Sequence, residues 1–440
     1  MASTYLTRTF STPTNRKIFT WSAWVKRQNQ VTDYQNALFG AYLNSSVRSV
    51  FRFNAHRLNF QDTEGSVEIK TNRLFRDVNA WYHIVLSVDT TQATASNRVK
   101  MYVNGVQETS FYQGNYPAQN SIFLMGGADI HYINARNSNG SVDSIADMSY
   151  SHIHFTDGTA YDATPFGETD ATTGEWKIKT DVSVTYGNNG FFILKDGNSV
   201  TDQSGNSNNW TVGAGTLTKT EDCPSNVFAT LNPLSVHTSG SYTFTNGNTT
   251  SEQDISRGAI STLGMTSGKF YSEVKFISTN TSTTAFGIVG LNNTANQDPG
   301  YVATGYTYRQ NGQKRNNNSN SSFGNTYATG DIIGIAVDLD NLKIYFSING
   351  TWQNSGDPTS GSTGTGSAFT ITAPSSTPDG AYFFAWSDIS DTAKASWNFG
   401  NGYFGTTAVS SAGTNASNNG IFEYDVPTGY TALSTRGLNS

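Results

Sequence analysis

One cysteine, ten prolines and 14% charged residues are a thin supply for a chain of 440. With Cys223 alone no intrachain disulfide can form, so any stability has to come from packed cores. No stretch of 18 apolar residues occurs, and the opening MASTYLTRTF lacks the apolar centre of a secretory leader. Synthesis in a cytoplasm without passage through a membrane is the expectation. Basic residues are also few, 27 Lys and Arg against 33 Asp and Glu, for a net charge of −6. Without a basic stripe, neither nucleic acid nor an anionic membrane is expected as the main partner, and membrane insertion is not expected either. Sustained helical periodicity over ten or more residues is missing as well. So are the His-Glu-x-x-His zinc pattern, a nucleophile elbow and a phosphate-cradling loop.

What the chain does have is 42 Gly, 22 Tyr, 26 Phe and much Ser, Thr and Asn, a composition of strands and turns. Its length suits two domains of roughly 200 residues each. The clearest segment is GDIIGIAVDLDNLKIYFSING, Gly330 to Gly350. There Ile333, Ile335, Val337 and Leu339 alternate with small or polar residues, and Leu342, Ile344, Phe346 and Ile348 alternate with Lys343, Tyr345, Ser347 and Asn349. Period-2 patterning on both sides of Asp340-Asn341 predicts a hairpin with a tight turn there, one face buried and one wet.

The wording of this hairpin resembles the core hairpin of SPRY domains. Gly268 to Val274 (GKFYSEV), Phe286 to Gly290 (FGIVG), Ala381 to Ala385 (AYFFA) and Ala395 to Gly400 (ASWNFG) resemble other strands of that family. The resemblance runs from about Phe228 onward and implies a β-sandwich recognition module without chemistry of its own. What such a module binds does not follow from its fold.

The first half has another signature. Ile18 to Val25 (IFTWSAWV) is a Trp-rich strand, and Phe51-Arg52-Phe53 and Leu58-Asn59-Phe60 are short alternating strands. Trp81 to Asp89 (WYHIVLSVD) is followed by Val99 to Gly105 (VKMYVNG). This pair resembles the laminin-G and concanavalin A-like lectin superfamily, as do Ile145 to Gly158 and the turn Asp202 to Asn209 (DQSGNSNN). The two resemblances together imply an all-β chain of two antiparallel, jelly-roll-like sandwiches in tandem. Their ranges are 1–218 for the lectin-like domain, 219–235 for an ordered connector with Pro224 and Pro233, and 236–440 for the SPRY-like domain.

The whole order resembles structural proteins of marine tailed bacteriophages. It runs from a laminin-G-like half through DCPSNVFATLNP to a SPRY-like half closing on Phe422, Tyr424, Val426, Pro427, Thr428, Gly429, Tyr430, Ala432 and Leu433. That resemblance implies a virion surface protein, either a capsid fibre or decoration or a tail adhesin, assembled in the host cytoplasm. Its partners would be other virion proteins and host-surface glycans, and repetition on the particle would make it a homo-oligomer. A capsid decoration that binds no ligand is the alternative within that setting.

A lectin-fold glycoside hydrolase is the enzymatic alternative, and it would need two carboxylates flanking the scissile bond. The Glu-x-Asp-x-x-Glu strand of glucanases is absent; Glu168-Thr169-Asp170 comes nearest, with Thr173 in place of the acid. His83, His152 and His154 read as packing residues rather than bases or ligands. No cofactor is expected, although Asp202, Asn206 and Asn208 carry oxygens of the kind calcium prefers. Side chains capping their own turn account for the same three residues.

The candidate binding residues lie at loop positions of the SPRY resemblance: Tyr306, Tyr308, Arg309, Lys314, Arg315, Trp352 and Asp357. Aromatic faces stack on sugar rings, while Arg and Asp give directional hydrogen bonds to hydroxyls. For Trp352 a second role, pinning the Gly-rich loop that follows to the sandwich, fits equally well. On this reading Tyr308, Arg315 and Trp352 can all be replaced by Ala without loss of folding.

Overall fold

The computed structural model describes residues 4–28, 36–44, 46–64, 66–195, 197, 199–235, 242–253, 257–278, 284–290, 299–388 and 393–439. The chain divides into two units, Met1–Lys219 and Thr220–Ser440. Both are antiparallel sandwiches, and among the described residues the α-helical part is one turn, Thr435–Leu438.

In the first unit an eight-stranded sheet runs Phe111–Asn115, Val67–Thr71, Arg57–Asp62, Arg48–Asn54, Asn36–Tyr42, Ile130–Ile133, Tyr5–Thr9, Thr211–Ala214. A six-stranded sheet faces it, in the order Phe191–Ile193, Met148–Asp157, Ile18–Arg27, Trp81–Asp89, Val99–Val103, Val106–Gln107. Alternation along each strand decides which side chains enter the core between them. Phe19, Trp21, Ala23 and Val25 meet Phe51, Phe53, Leu58, Phe60 and Ile69 there.

Thr20, Ser22, Trp24 and Lys26 lie on the opposite side of the six-stranded sheet, yet these are buried too. A second layer explains this: Ala163, Phe166, Tyr161, Trp176, Val182 and Val184 pack onto Val85 and Tyr102. The layer is held closely. At Gly187, φ is +69° and a Cβ would stand 1.9 Å from the Asp157 carbonyl oxygen, so glycine is required there.

The second unit has a nine-stranded sheet whose centre is Ala393–Asn398, Lys269–Ser278, Ile332–Asp338 and Lys343–Ile348. Its six-stranded partner includes Phe383–Asp388, Ala285–Val289, Gly305–Arg309 and Gln313–Asn316. Ile333, Ile335, Val337, Ile344 and Phe346 fill the core with Phe286, Trp386 and Trp397.

Two details of the hairpin differ from the sequence reading. The left-handed residue of the turn is Leu342 (φ +58°) rather than Asp340 or Asn341, because Asp338 Oδ1 accepts from both of their amides and bends the chain early. The second face is not wet. Tyr271, Ala336 and Tyr345 are covered by Phe422, Val426 and Tyr430 from the segment that follows the sandwich strands. Thr431–Ala432 pairs in parallel with Lys269–Ser278, and Glu273 accepts from the amides of Glu423 and Tyr424, both at 2.8 Å.

Residues 220–235 are part of this unit. Phe228 is buried beside Phe422 and Tyr430, the Ala229 amide donates to the Leu433 carbonyl, and the Leu231 amide to that of Asn248.

Candidate functional site

Of the seven residues expected to form an open sugar-binding surface, six are committed to the interior or edges of the second sandwich. Tyr306 and Tyr308 stand two apart on the strand Gly305–Arg309, so both rings point the same way, into the core. Tyr308 is fully buried against Phe323, Tyr327 and Phe346, and its hydroxyl donates to the Asn325 carbonyl. Tyr306 packs on Phe369 and Tyr382 and its hydroxyl accepts from the Thr372 amide at 3.1 Å. Arg309 is buried.

Lys314 donates to the Ala368 carbonyl and sits 4.9 Å from the centre of the Phe369 ring. Arg315 is buried, 4.3 Å over Tyr301, with Nε donating to Asn320 Oδ1 at 2.7 Å. Trp352 is half-buried and leans edge-on against Tyr271 of the sandwich. Asp357 alone is exposed. Its Oδ1 accepts from the Thr359 hydroxyl and amide, bonds that hold the carboxyl below its ordinary range. The expected surface is therefore structural: these positions are strands and self-capped turns, and their polar atoms are used internally.

In the first unit Ser22 Oγ lies 2.8 Å from His83 Nε2, the separation of a nucleophile and its base. The chemistry runs the wrong way. Trp176 Nε1–H donates to His83 Nδ1 at 3.0 Å, so the neutral ring carries its proton on Nε2 and donates to the serine. The imidazole is fully buried between Trp24 and Trp176, and desolvation lowers its pKa to about 3. His83 is a bridge between the sheet and its covering layer.

Trp176→Phe would remove the indole donor and leave a buried acceptor unpaired. We expect a loss of about 1–3 kcal/mol in the first unit, measured by its melting transition together with a shift of the His83 Nδ1 resonance.

The Asp202 turn is built the same way. Asp202 Oδ1 accepts from the amides of Phe192 and Ser204, and Oδ2 from the Ser204 hydroxyl and the Asn208 amide. Asn206 and Asn208 donate to main-chain carbonyls at Gly187, Asn188 and Gly190. Asp202 thus caps its own turn, as expected, while Asn206 and Asn208 instead tie that turn to the segment 187–190. Among the described residues no group of three His, Cys, Asp or Glu side chains is placed to hold a metal ion.

A polar surface of a different kind lies on the outer face of the eight-stranded sheet. Since Phe51, Phe53, Leu58, Phe60, Val67 and Ile69 point into the core, the residues between them point out. Register sets them in rows. Arg52 pairs with Asn59, Asn59 with Lys70, and Lys70 with Gln113; in the next row Gln61 pairs with Glu68 and Glu68 with Asn115. Arg52 Nε donates to Asn59 Oδ1 at 2.9 Å and Nη2 to Gln61 Oε1 at 3.0 Å, which fixes the floor. Burial, with Arg136 close by, lowers the Arg52 pKa to about 10.

A cleft of about 290 Å³ opens over Gln61, Asp62, Thr63, Ser66, Val67, Glu68 and Asn115. Beside the rows stands Tyr112, the extra residue where the register shifts between Phe111 and Gln113. It is 66% exposed, and Arg57 and Lys70 lie 5.0 and 5.7 Å from its ring centre. The alternation of Arg52 and Asn59 with phenylalanines is visible in the sequence, whereas their alignment with Lys70 and the bulge that lifts Tyr112 are not.

Residues 2–150 match a family model described as the concanavalin A-like lectin/glucanases superfamily, Laminin_G_3. Among solved structures the chain is similar to the SPRY domain of human HERC1, at 15% identity over 38% of this chain and 96% of that one, with a TM-score of 0.30. It is similar to a second human SPRY domain at 18% identity, covering 34% and 90%, with a TM-score of 0.26. Stonustoxin matches at 13% identity, covering 47% of this chain and 32% of its own, with a TM-score of 0.28. No curated protein matches. The first unit thus carries the concanavalin A-like sandwich, and both units are antiparallel β-sandwiches.

Proposed function

We propose that this chain is a non-enzymatic surface protein of a tailed bacteriophage particle that binds glycans through the outer face of its first sandwich. The observation that carries the binding reading is Tyr112, an exposed ring beside the in-register side chains of Gln61, Glu68, Lys70, Gln113 and Asn115, over a floor of buried Arg52 and Asn59. An exposed aromatic face with directional polar groups around it, on a rigid sheet, is what a sugar ring needs.

The virion setting draws support from the sequence. A single cysteine, a surface rich in Asn, Ser, Thr and Gly, and the phage-like closing motif all fit a particle component. Other virion proteins, of capsid or tail, would hold it on the particle, with symmetry supplying further copies. A non-catalytic role is supported by the tautomer of His83 and by the two carboxylates at the cleft: Asp62 is buried and accepts from the Ser49 hydroxyl and the Leu124 amide, which leaves Glu68 without the free partner a glycosidase needs.

Tyr112→Ala is expected to abolish binding on a glycan array without changing the melting of either unit, while Trp352→Ala leaves array binding intact. Equal binding by the Tyr112 variant and the parent would refute the placement.

A further inference from the structure

The charges around Tyr112 narrow the class of glycan, an inference that rests on the binding reading above. Arg57 gives its guanidinium to the main-chain carbonyls of Thr71 and Asn72. Lys70 donates to the amide oxygen of Asn54 at 3.2 Å. These partners are neutral oxygens, so the hydrogen bonds of the two cations are satisfied without a carboxylate in contact, and Glu68 offsets the Lys70 charge only in part. Both sit against the same exposed ring. Arg52 lies in the row with Lys70. Partial burial holds the Lys70 pKa down; Glu68, one row away, is the strongest charge acting on it and raises it, while Arg52 and Arg57 lower it.

In a chain of net −6 such a concentration of positive charge on one polar face is against the overall balance. Keeping cations together costs free energy that an anion on the ligand would recover, and at a partly exposed site the gain is greatest at low salt.

We propose that the outer face of the eight-stranded sheet takes an acidic saccharide, with a sugar ring on Tyr112 and its anionic group held by Arg57 and Lys70. Hydroxyls of the neighbouring ring then fall over the cleft, where Gln61, Glu68 and Asn115 offer amide donors and a carboxylate acceptor. The shared chemistry is a negatively charged pyranose, whose charge can come from a uronic carboxylate or a sulfate ester.

The full chain should be titrated calorimetrically with an oligogalacturonate, a sulfated galactan oligosaccharide and a neutral cello-oligosaccharide, at low and high salt. At least one of the two acidic ligands is expected to bind roughly tenfold or more tightly than the neutral one, and to weaken with salt. Which acidic ligand binds identifies the anion. Arg57→Gln and Lys70→Gln, checked for folding by their melting transitions, should each weaken the acidic ligand and spare the neutral one.

Neutral and acidic ligands binding equally, with no response to Lys70→Gln, would overturn the acidic class and leave the glycan reading standing. Acidic binding that survives Arg57→Gln, Lys70→Gln and Tyr112→Ala would overturn the site. No binding to these three ligands or to any glycan of a broad array would overturn the glycan reading itself.

Discussion

Acidification from pH 7 to pH 5 is expected to melt the first unit at a much lower temperature while leaving the second unit as stable as before or more so. In the first unit His83 and His131 are fully buried, and desolvation lowers both pKa values to about 3. His154 is pushed well below the ordinary histidine range by the same cause. In His83 and His131 the nitrogen that would take a second proton already accepts a hydrogen bond. His83 accepts from Trp176, His131 Nε2 accepts from the Gly126 amide, and His154 is stacked 3.9 Å from Phe192 with Tyr186 at its Nδ1.

Below pH 6.5 the unfolded chain therefore binds protons that the folded unit refuses, and stability falls as the pH falls. Each such histidine costs up to about 1.4 kcal/mol per pH unit, so His83 and His131 alone remove roughly 4 kcal/mol by pH 5. Against a total of about 5–15 kcal/mol that is a large share.

The sign reverses in the second unit. Burial raises the Glu273 pKa to about 7 from an ordinary 4.5, so its folded form holds the proton that the unfolded chain releases. That contribution is complete below pH 4.5 and is lost as the pH rises through 7, a difference of roughly 3 kcal/mol. Calorimetric scans from pH 8 to pH 4.5 should show two transitions moving apart in opposite directions. A first transition that stays put between pH 7 and 5 would contradict the account.

Replacing Tyr308 by Ala is expected to cost the second unit about 3–5 kcal/mol, the range for emptying an aromatic site in a packed core. The ring is fully buried among Phe323, Tyr327 and Phe346, and its hydroxyl satisfies the Asn325 carbonyl. Both losses fall on the same substitution. Urea unfolding followed by circular dichroism should show the second transition shifted and the first unchanged, with glycan binding at Tyr112 unaffected. A Tyr308→Ala protein of parental stability with a binding defect would restore the loop surface that the sequence suggested.

The contrast between Tyr308 and Tyr112 shows where sequence reading stops. Trp21, Ile333, Val337 and Phe346 declare themselves through period-2 alternation, and they lie in the cores that the alternation implies. Gly305–Arg309 carries the same cue, with Tyr306 and Tyr308 two apart, but it is short and flanked by Asn-rich sequence, so it passes for a loop. Arg52 and Asn59 read as the wet side of their strands. Which residues of Val67–Thr71 and Phe111–Asn115 stand beside them depends on register across four strands, and that is set by hairpin geometry and a bulge rather than by any one segment. The covering layers are harder still. Phe166 and Trp176, or Phe422 and Tyr430, carry no period that says which sheet they will roof.

The second roof bears on the order in which the protein is made. Phe228 lies beside Phe422 and Tyr430, and the Ala229 amide waits for the carbonyl of Leu433. A ribosome delivers Tyr271, Ala336 and Tyr345 long before the residues that will cover them. Until then the sheet presents a bare aromatic strip, and that interval, rather than the finished fold, is when the nascent chain is most exposed to pairing with a neighbour.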